Sequence, residues 1–363
     1  MKIRFKFIFF VLILLFFLNK CENQNNKVIE KRVDKPEEVF TLSITAVGDV
    51  MPGTQYPSER LLPPNDGIDI FDSVKTYLGG TDIVFGNLEG VLLEGEFSPR
   101  KYDDSSISYR FQIPERYAGL IKSAGFNLIN TANNHALDFE DIGAERTLEV
   151  LDSVGLNHFG LISKPYTVQK IRNKTVCFIG FSANHGALRI QNINEAVDSI
   201  KKLDSIYDII VVSFHGGGEG NKFRNITRET EIFADENRGN PYQFAHAVID
   251  AGADAVIGHG PHVTRAMEIY RNRLIAYSLG NFCTYRKFNL KGSQGIAPIL
   301  KFDMNEKGEF LSGMIIPIKQ IKNGYPVLDN KKQVLNELIT LSKEDFPESI
   351  LEISENGKLI LKK

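Results

Sequence analysis

From Thr41 to about residue 305 the chain alternates two patterns. Short runs of apolar, often β-branched residues bounded by turn formers read as strands, and longer stretches with apolar positions every three or four residues read as amphipathic helices. Strands are expected at Leu42 to Val47, Ile83 to Phe85, Leu128 to Asn130, Val176 to Phe181, Ile209 to Phe214, Ala255 to Ile257 and Leu274 to Ser278. Helices are expected near Phe71 to Leu78, Pro114 to Ala124, Ile142 to Val154, Ile193 to Leu203 and Tyr242 to Ala251. Pro114 suits a first helical turn, and Gly125, Gly155 and Gly252 suit helix ends. Such alternation predicts an α/β fold. Beyond residue 305 the pattern fades into a β-rich tail, Phe310 to Pro317, and a charged C-terminus.

The start of the chain follows a different rule. Lys2, Arg4 and Lys6 lead into the apolar run Phe7 to Leu18, which falls short of the roughly 20 residues a spanning helix needs and so reads as a signal peptide over 1–20. Cys21 follows at once, and the polar stretch Glu22 to Glu38 comes after it, the layout of a bacterial lipoprotein with an acylated cysteine and a tether over 21–40. Lys20 stands where such proteins usually carry a small residue, so an ordinary cleavage site or a signal anchor is the alternative. Each of these layouts places the body outside the cytoplasm, and the favoured lipoprotein layout, like a signal anchor, leaves it membrane-anchored on the cell envelope. The main domain is expected over 41–320 and a C-terminal extension over 321–363.

Composition narrows the partners. The 363 residues carry 43 Lys+Arg against 45 Asp+Glu, a formal net charge of −2, which gives no long-range pull toward nucleic acid. A nucleic-acid partner is not expected. Three scattered cysteines make neither a disulfide framework nor a C-x-x-C metal site, so any metal must rely on His, Asp, Glu and Asn.

Those residue types gather where the expected strands end, the edge at which open α/β sheets bind ligands. The first strand runs into Gly48-Asp49-Val50-Met51, the second into Gly86-Asn87-Leu88-Glu89-Gly90 and the third into Asn133-Asn134-His135-Ala136-Leu137-Asp138. His215 closes the fifth, ahead of Gly216, Gly217, Gly218 and Glu219; His259 and His262 flank Gly260 and Pro261 after the sixth; Gly280 and Asn281 follow the seventh. Taken singly, each Asp or Asn is a turn former and each His a satisfied imidazole, the reading that stands for His158, His185 and His246. Placed together on one rim, His135, His215, His259 and His262 indicate a shared metal or catalytic site. Mixed oxygen and imidazole donors suit Mn, Fe or Zn, as one ion or two. The glycines of 216–220 lack the Lys-Ser/Thr of a P-loop.

With these motifs in order, the sequence resembles the CapA family of bacterial proteins associated with poly-γ-glutamate capsule synthesis. That family is similar in fold to the calcineurin-like metallophosphoesterases. The matching segments are Ala46 to Met51, Gly86 to Gly90, Asn133 to Asp138, Ile249 to His262 and Tyr277 to Phe282, within about 43–305. The resemblance implies a four-layer α/β/β/α sandwich of the metallo-dependent phosphatase kind. It implies Asp49, Glu89, Asn134, His215, His259 and His262 as metal ligands or near-ligands, with Asn87 an alternative to Glu89. His135 would be the general acid, with Asp138 beside it, and Glu219, Arg238, Arg265 and Asn281 would meet substrate. Arg110, Arg224 and Arg228 lie near the same motifs. The activity implied is a metal-dependent hydrolase or transferase acting on an anionic polymer such as poly-γ-glutamate, or on a phosphorylated precursor. Phosphoesterases of this fold usually begin with Asp-x-His, where this chain has Met51, and carry a bridging Asp where it has Asn87. Their closing Gly-His-x-His is stretched here to Gly-His-Gly-Pro-His, and the Trp-Gly-x-Glu pattern of many CapA proteins reads Gly216, Gly217, Gly218, Glu219. These departures carry the rival expectation of a non-catalytic polyglutamate-binding assembly or export factor.

Overall fold

Two sheets face each other across an apolar interior, and each carries helices on its outer side. The computed structural model describes residues 40–100 and 109–362. The expected signal peptide, Cys21 and the tether up to residue 39 lie outside the described residues. Among the described residues no helix is long and apolar enough to cross a membrane.

The first sheet has ten strands, in the order Leu351–Ile353, Lys358–Leu361, Phe310–Ile321, Ile296–Asn305, Thr41–Met51, Ile83–Leu88, Leu128–Asn130, Asn157–Phe159. Asn281–Thr284 joins the C-terminal end of Thr41–Met51 in parallel, and Tyr325–Leu328 pairs with Phe310–Ile321. The second sheet has seven, in the order Met267–Tyr270, Arg273–Ala276, Ala255–His259, Ile209–His215, Lys174–Ser182, Tyr166–Ile171, with Leu188–Arg189 beside Lys174–Ser182. Successive side chains of a strand point to opposite faces, so one strand serves two layers. Leu42, Ile44 and Ala46 meet Phe178, Val211 and Ile257 in the interior between the sheets. Val47 and Val84 instead pack outward on Tyr117, Ile121, Val150 and Leu151. On the other side Cys177, Ile179, Ile210 and Val212 pack on Ala196, Ile200, Phe244 and Val248. The order of layers is therefore α/β/β/α, as the resemblance implied.

All seven expected strands form, most of them longer than the apolar runs suggested. Four of the helices also form close to their expected bounds, as Tyr117–Ser123, Glu140–Ser153, Ile193–Asp204 and Pro241–Asp250. In the last, Asn240 caps the N-terminus by accepting from Gln243 N at 2.9 Å, and Pro241 opens the first turn. The helix expected at Phe71 to Leu78 shrinks to Lys75–Leu78. Ahead of it, tight i→i+3 bonds from Asp72 N to Asp69 O and from Val74 N to Phe71 O hold the same apolar residues, Phe71 and Val74, against the core.

The stretch from 321 onward is built into the sandwich. Leu351–Ile353 and Lys358–Leu361 extend the first sheet, and the helix Gln333–Asp345 inserts Val334, Leu335 and Leu338 into the inter-sheet interior.

Candidate metal centre

A break in the pleat aims Asp49. Val47 and Val50 share the outer cluster although they are three residues apart, a spacing that regular alternation forbids. The register shift between Ala46 and Asp49 against Ile83–Leu88 resolves the conflict, and Asp49 turns into the gap between the sheets. The chain is also pressed close there. Asp49 N donates to Gly280 O at 2.9 Å, and a Cβ on Gly48 would sit 1.8 Å from that same oxygen, so only glycine fits.

Two rows of polar side chains meet in that gap. Across the first sheet, Asp49 is in register with Asn87, and Asn87 with Asn130. Asn87 Nδ2 donates to Asp49 Oδ1 at 2.9 Å, and Asn87 Oδ1 accepts from Asn130 at 3.1 Å and Asn133 at 3.2 Å. Across the second sheet, His215 and His259 are register partners on adjacent parallel strands. The loop after His259 ends at His262, held at φ 55° in the left-handed region that β-carbon residues avoid. This conformation brings the His262 Nδ1 within 3.0 Å of Asp49 Oδ2 and 3.1 Å of Asn281 Oδ1.

At the meeting point the ionisable atoms crowd. Asp49, Glu89 and His215 each offer one ligand atom, all within 4.8 Å of one another. His259 Nδ1 lies 3.6 Å from Asp49 Oδ1, while Glu89 Oε1 is 3.8 Å from His215 Nε2, 3.5 Å from His262 Nε2 and 3.8 Å from His135 Nε2. Both oxygens of Glu89, both ring nitrogens of His215 and His259, and Asn134 Oδ1 are buried with no hydrogen-bond partner among the described residues. Interior polar atoms are seldom left unpaired, because each lost bond costs about 1–3 kcal/mol. Those of Glu89, His215 and His259 lie together around Asp49, and such a set of carboxylate and imidazole atoms fits a divalent cation.

The electrostatics agree with that fit. Burial pushes Glu89 up to about 8, with the neighbouring Asp49 charge adding to the effect. Burial also holds His215 well below the ordinary histidine value, keeping it in the neutral form that binds metals. Asp49 is the opposite case: burial opposes its charge, but the imidazoles of His259 and His262 outweigh it and depress its pKa. For His262 burial opposes the imidazolium, yet Glu89, Asp49 and Glu219 carry it up to about 10. A cation held here would take over the role of those protons.

The structure gathers Asp49, Glu89, His215, His259, His262 and His135 as expected from the sequence, and Asn134 Oδ1 is buried without a hydrogen-bond partner among the described residues. Glu219 reaches within 4.0 Å of His262 Nε2, and Arg238 pairs with Glu219 at 3.0 Å. Three expectations are corrected. Asn87 does not offer a ligand oxygen, since two amides occupy it; its place is behind Asp49. Arg265 does not reach substrate, being wholly buried in a two-point pair with Glu231 at 3.0 and 2.8 Å. Asn281 is likewise enclosed and holds His262 through its side-chain oxygen, while its Nδ2 donates to His262 O at 3.3 Å and Gln294 O at 3.0 Å. Asn130 and Glu231 were missed. The signal for Asn130 was an amide closing an apolar strand, whereas nothing near Glu231 in sequence announces its partner 34 residues on.

Comparison with known proteins places these observations. The profile of a family described as bacterial capsule synthesis protein, PGA_cap, matches residues 43–286. The capsule biosynthesis protein CapA of Bacillus anthracis is 30% identical over 275 residues, covering 68% of this chain and 61% of that protein. The PGA biosynthesis protein CapA of Bacillus subtilis (strain 168) is 29% identical over 257 residues, covering 66% of this chain and 63% of that protein. The chain thus spans about three fifths of the length of the curated relatives it matches. Among solved structures, a putative 5'-nucleotidase from Staphylococcus aureus superposes with a TM-score of 0.41 at 13% identity, over 80% of this chain and 53% of that one.

Proposed function

The chain belongs to the bacterial capsule synthesis protein family, and from that premise we propose that it is a metal-dependent hydrolase or transferase acting on an anionic envelope polymer of the poly-γ-glutamate class. One observation carries the reading: the buried oxygen and imidazole nitrogen atoms of Glu89, His215 and His259, without hydrogen-bond partners among the described residues, that surround Asp49. Asp49, Glu89, His215, His259 and His262, with the oxygen of Asn134, would hold the ion, and the imidazoles favour Mn, Fe or Zn over Mg or Ca. A bound ion would supply Lewis acidity, for polarising a phosphoryl or acyl oxygen and acidifying a water. Asn87 having no free oxygen favours one ion over two.

The chain's own residues supply the rest. His135 is the proton donor to the leaving group: Asp138 holds its Nδ1, and its Nε2 faces Glu89. Asn281 and Asn87 fix the orientation of His262 and Asp49. Export with a lipid on Cys21, as its sequence context supports, would bring this centre to the cell envelope. Met51 and Asn87, in place of the histidine and aspartate of phosphoesterases, favour a second reading, a non-catalytic polymer-binding assembly factor.

Elemental analysis of the purified protein, for wild type and for His259→Ala with His262→Ala, tests the proposal. Near-stoichiometric metal in the wild type, lost in the variant together with hydrolysis of γ-glutamyl or phosphoester substrates, is the expected result. Polymer binding without metal, unaffected by chelators, would give the assembly reading instead.

A further inference from the structure

A short two-stranded arm, Ile232–Phe233 with Glu236–Asn237, stands beside the metal centre with a well-fixed base. Glu231 N donates to Gly239 O at 2.8 Å, and Arg238 N to Glu231 O at 2.9 Å. Below them the Glu231 carboxylate takes both terminal nitrogens of Arg265 and the backbone N–H of Gly218 at 2.7 Å. Gly217 N closes the link by donating to Arg238 O at 2.8 Å. The arm is thereby joined to the glycine segment that follows His215.

This framework delivers one cation, Arg238, only 3% exposed. Its Nη1 lies 3.6 Å from Glu236 and its Nη2 3.0 Å from Glu219 Oε1. Neither Nε nor Nη2 makes a hydrogen bond of proper angle among the described residues. The other Glu219 oxygen is 4.0 Å from His262 Nε2, so Glu219 stands between the guanidinium and the centre. A buried guanidinium with two idle donors, facing a carboxylate it meets at a poor angle, is built for an anion that presents two oxygens in its plane.

Resting on the anionic-polymer reading above, we propose that Arg238 is the subsite for a free carboxylate of the substrate, and that Glu219 occupies the place of that carboxylate until substrate arrives. A γ-linked glutamyl residue keeps one carboxylate outside the chain of amide bonds, chemically equivalent to the Glu219 group it displaces. Phosphate presents a similar edge, and the test separates the two. Glu231 and Arg265 act as positioning residues, through the arm.

Calorimetric titration of the full chain with γ-linked tetraglutamate, and separately with inorganic phosphate, is done with and without added Mn²⁺ on protein of measured metal content. Arg238→Gln is expected to weaken tetraglutamate binding about tenfold or more, the usual size of a lost charge-assisted pair, with Arg238→Lys between. Glu219→Gln removes the internal competitor and is expected to tighten binding several-fold, a gain that vanishes when combined with Arg238→Gln. A purely structural role for the pair predicts weaker binding in both single variants. That result overturns the proposal, as does unchanged binding in Arg238→Gln or an Arg238-dependent preference for phosphate. Should Arg238→Gln melt early, Arg238→Lys and Glu219→Gln decide. A wild type without metal overturns the hydrolase reading alone, because the Arg238 comparison is read equally in the metal-free arm.

Discussion

His135 Nδ1 lies 2.9 Å from Asp138 Oδ2, and the same oxygen accepts the backbone N–H of Phe111 at 2.7 Å. Asp138 is thus fixed before it fixes His135, and the imidazole is left with only Nε2 to offer the centre. Burial opposes the imidazolium, but Asp138 and Glu89 outweigh it and raise the pKa above the ordinary histidine value.

That pairing gives the proposed proton-donor role a test. Activity requiring protonated His135 persists above the ordinary histidine value and is lost as pH rises through the raised one. Asp138→Asn removes the supporting charge, so the alkaline limb of the pH–rate profile should move to lower pH. His135→Asn should lower kcat by about 10²–10⁴-fold with metal content retained. An unmoved alkaline limb in Asp138→Asn would remove His135 from the role.

Asn87→Asp tests the corrected reading of the second motif. It places a carboxylate 2.9 Å from Asp49 and offers Asn130 and Asn133 an acceptor as before. Repulsion between the two buried charges should lower metal-free stability by about 1–3 kcal/mol. Added Mn²⁺ should then raise the melting temperature of the variant more than that of the wild type. Equal shifts in the two proteins would show that the ion does not relieve the added charge, against the placing of residue 87 directly behind Asp49.

Gly48→Ala puts a Cβ 1.8 Å from Gly280 O, a backbone atom that cannot rotate away. Something in the Asp49 strand must shift, and a loss of more than about 3 kcal/mol is expected, with weakened metal binding. Thermal unfolding followed by circular dichroism measures it; a wild-type midpoint would contradict the close packing at this point.

Asp254 provides a pH signature away from the centre. Burial pushes its pKa up to about 6, against the opposing effects of the Ile210 N–H at 2.8 Å and Arg273 at 2.9 Å. The folded chain therefore holds a proton that the unfolded chain, with an ordinary value near 3.9, has released. The associated stability is complete below about pH 4 and is lost as pH rises through 6. Between those limits the unfolding free energy of Asp254→Asn should gain about 2–3 kcal/mol relative to wild type. Parallel denaturation curves across this range would show that the site does not titrate there.

Cys21→Ser tests the proposed lipid anchor. Metabolic labelling with a radioactive or alkynyl fatty acid in a bacterial host should mark the wild type and not the variant, and the variant should partition into the soluble envelope fraction. Equal labelling would remove the lipoprotein layout.

The parts of the molecule legible in sequence are those governed by local rules. Asp49, Glu89, His135, His215 and His259 sit at or just beyond strand ends, and an apolar run followed by a polar residue and glycine shows such a point without any knowledge of tertiary pairing. What escaped is set by partners distant in the chain. Asn87, a ligand candidate by motif, is claimed by Asn130 and Asn133, more than 40 residues away. Arg265 looks like a surface cation near a motif until Glu231 is found beneath the arm. The helix Gln333–Asp345 went unread among the charges of the C-terminus, although its Val334, Leu335, Leu338 and Leu341 follow helical spacing.

The central strand of the first sheet carries an implication for how the protein is made. Thr41–Met51 is the earliest strand described, yet its antiparallel neighbour is Ile296–Asn305, with Thr41 opposite Asn305. The interior is completed still later, by Gln333–Asp345. A chain threaded N-terminus first through a translocation channel would expose this strand long before its mate emerges. Native assembly must therefore wait for nearly the whole polypeptide, a high-contact-order route that is slow and leaves an unpaired apolar strand in need of protection. Were the chain exported as proposed, that delay would be an advantage, since a chain that cannot fold early remains competent for transport.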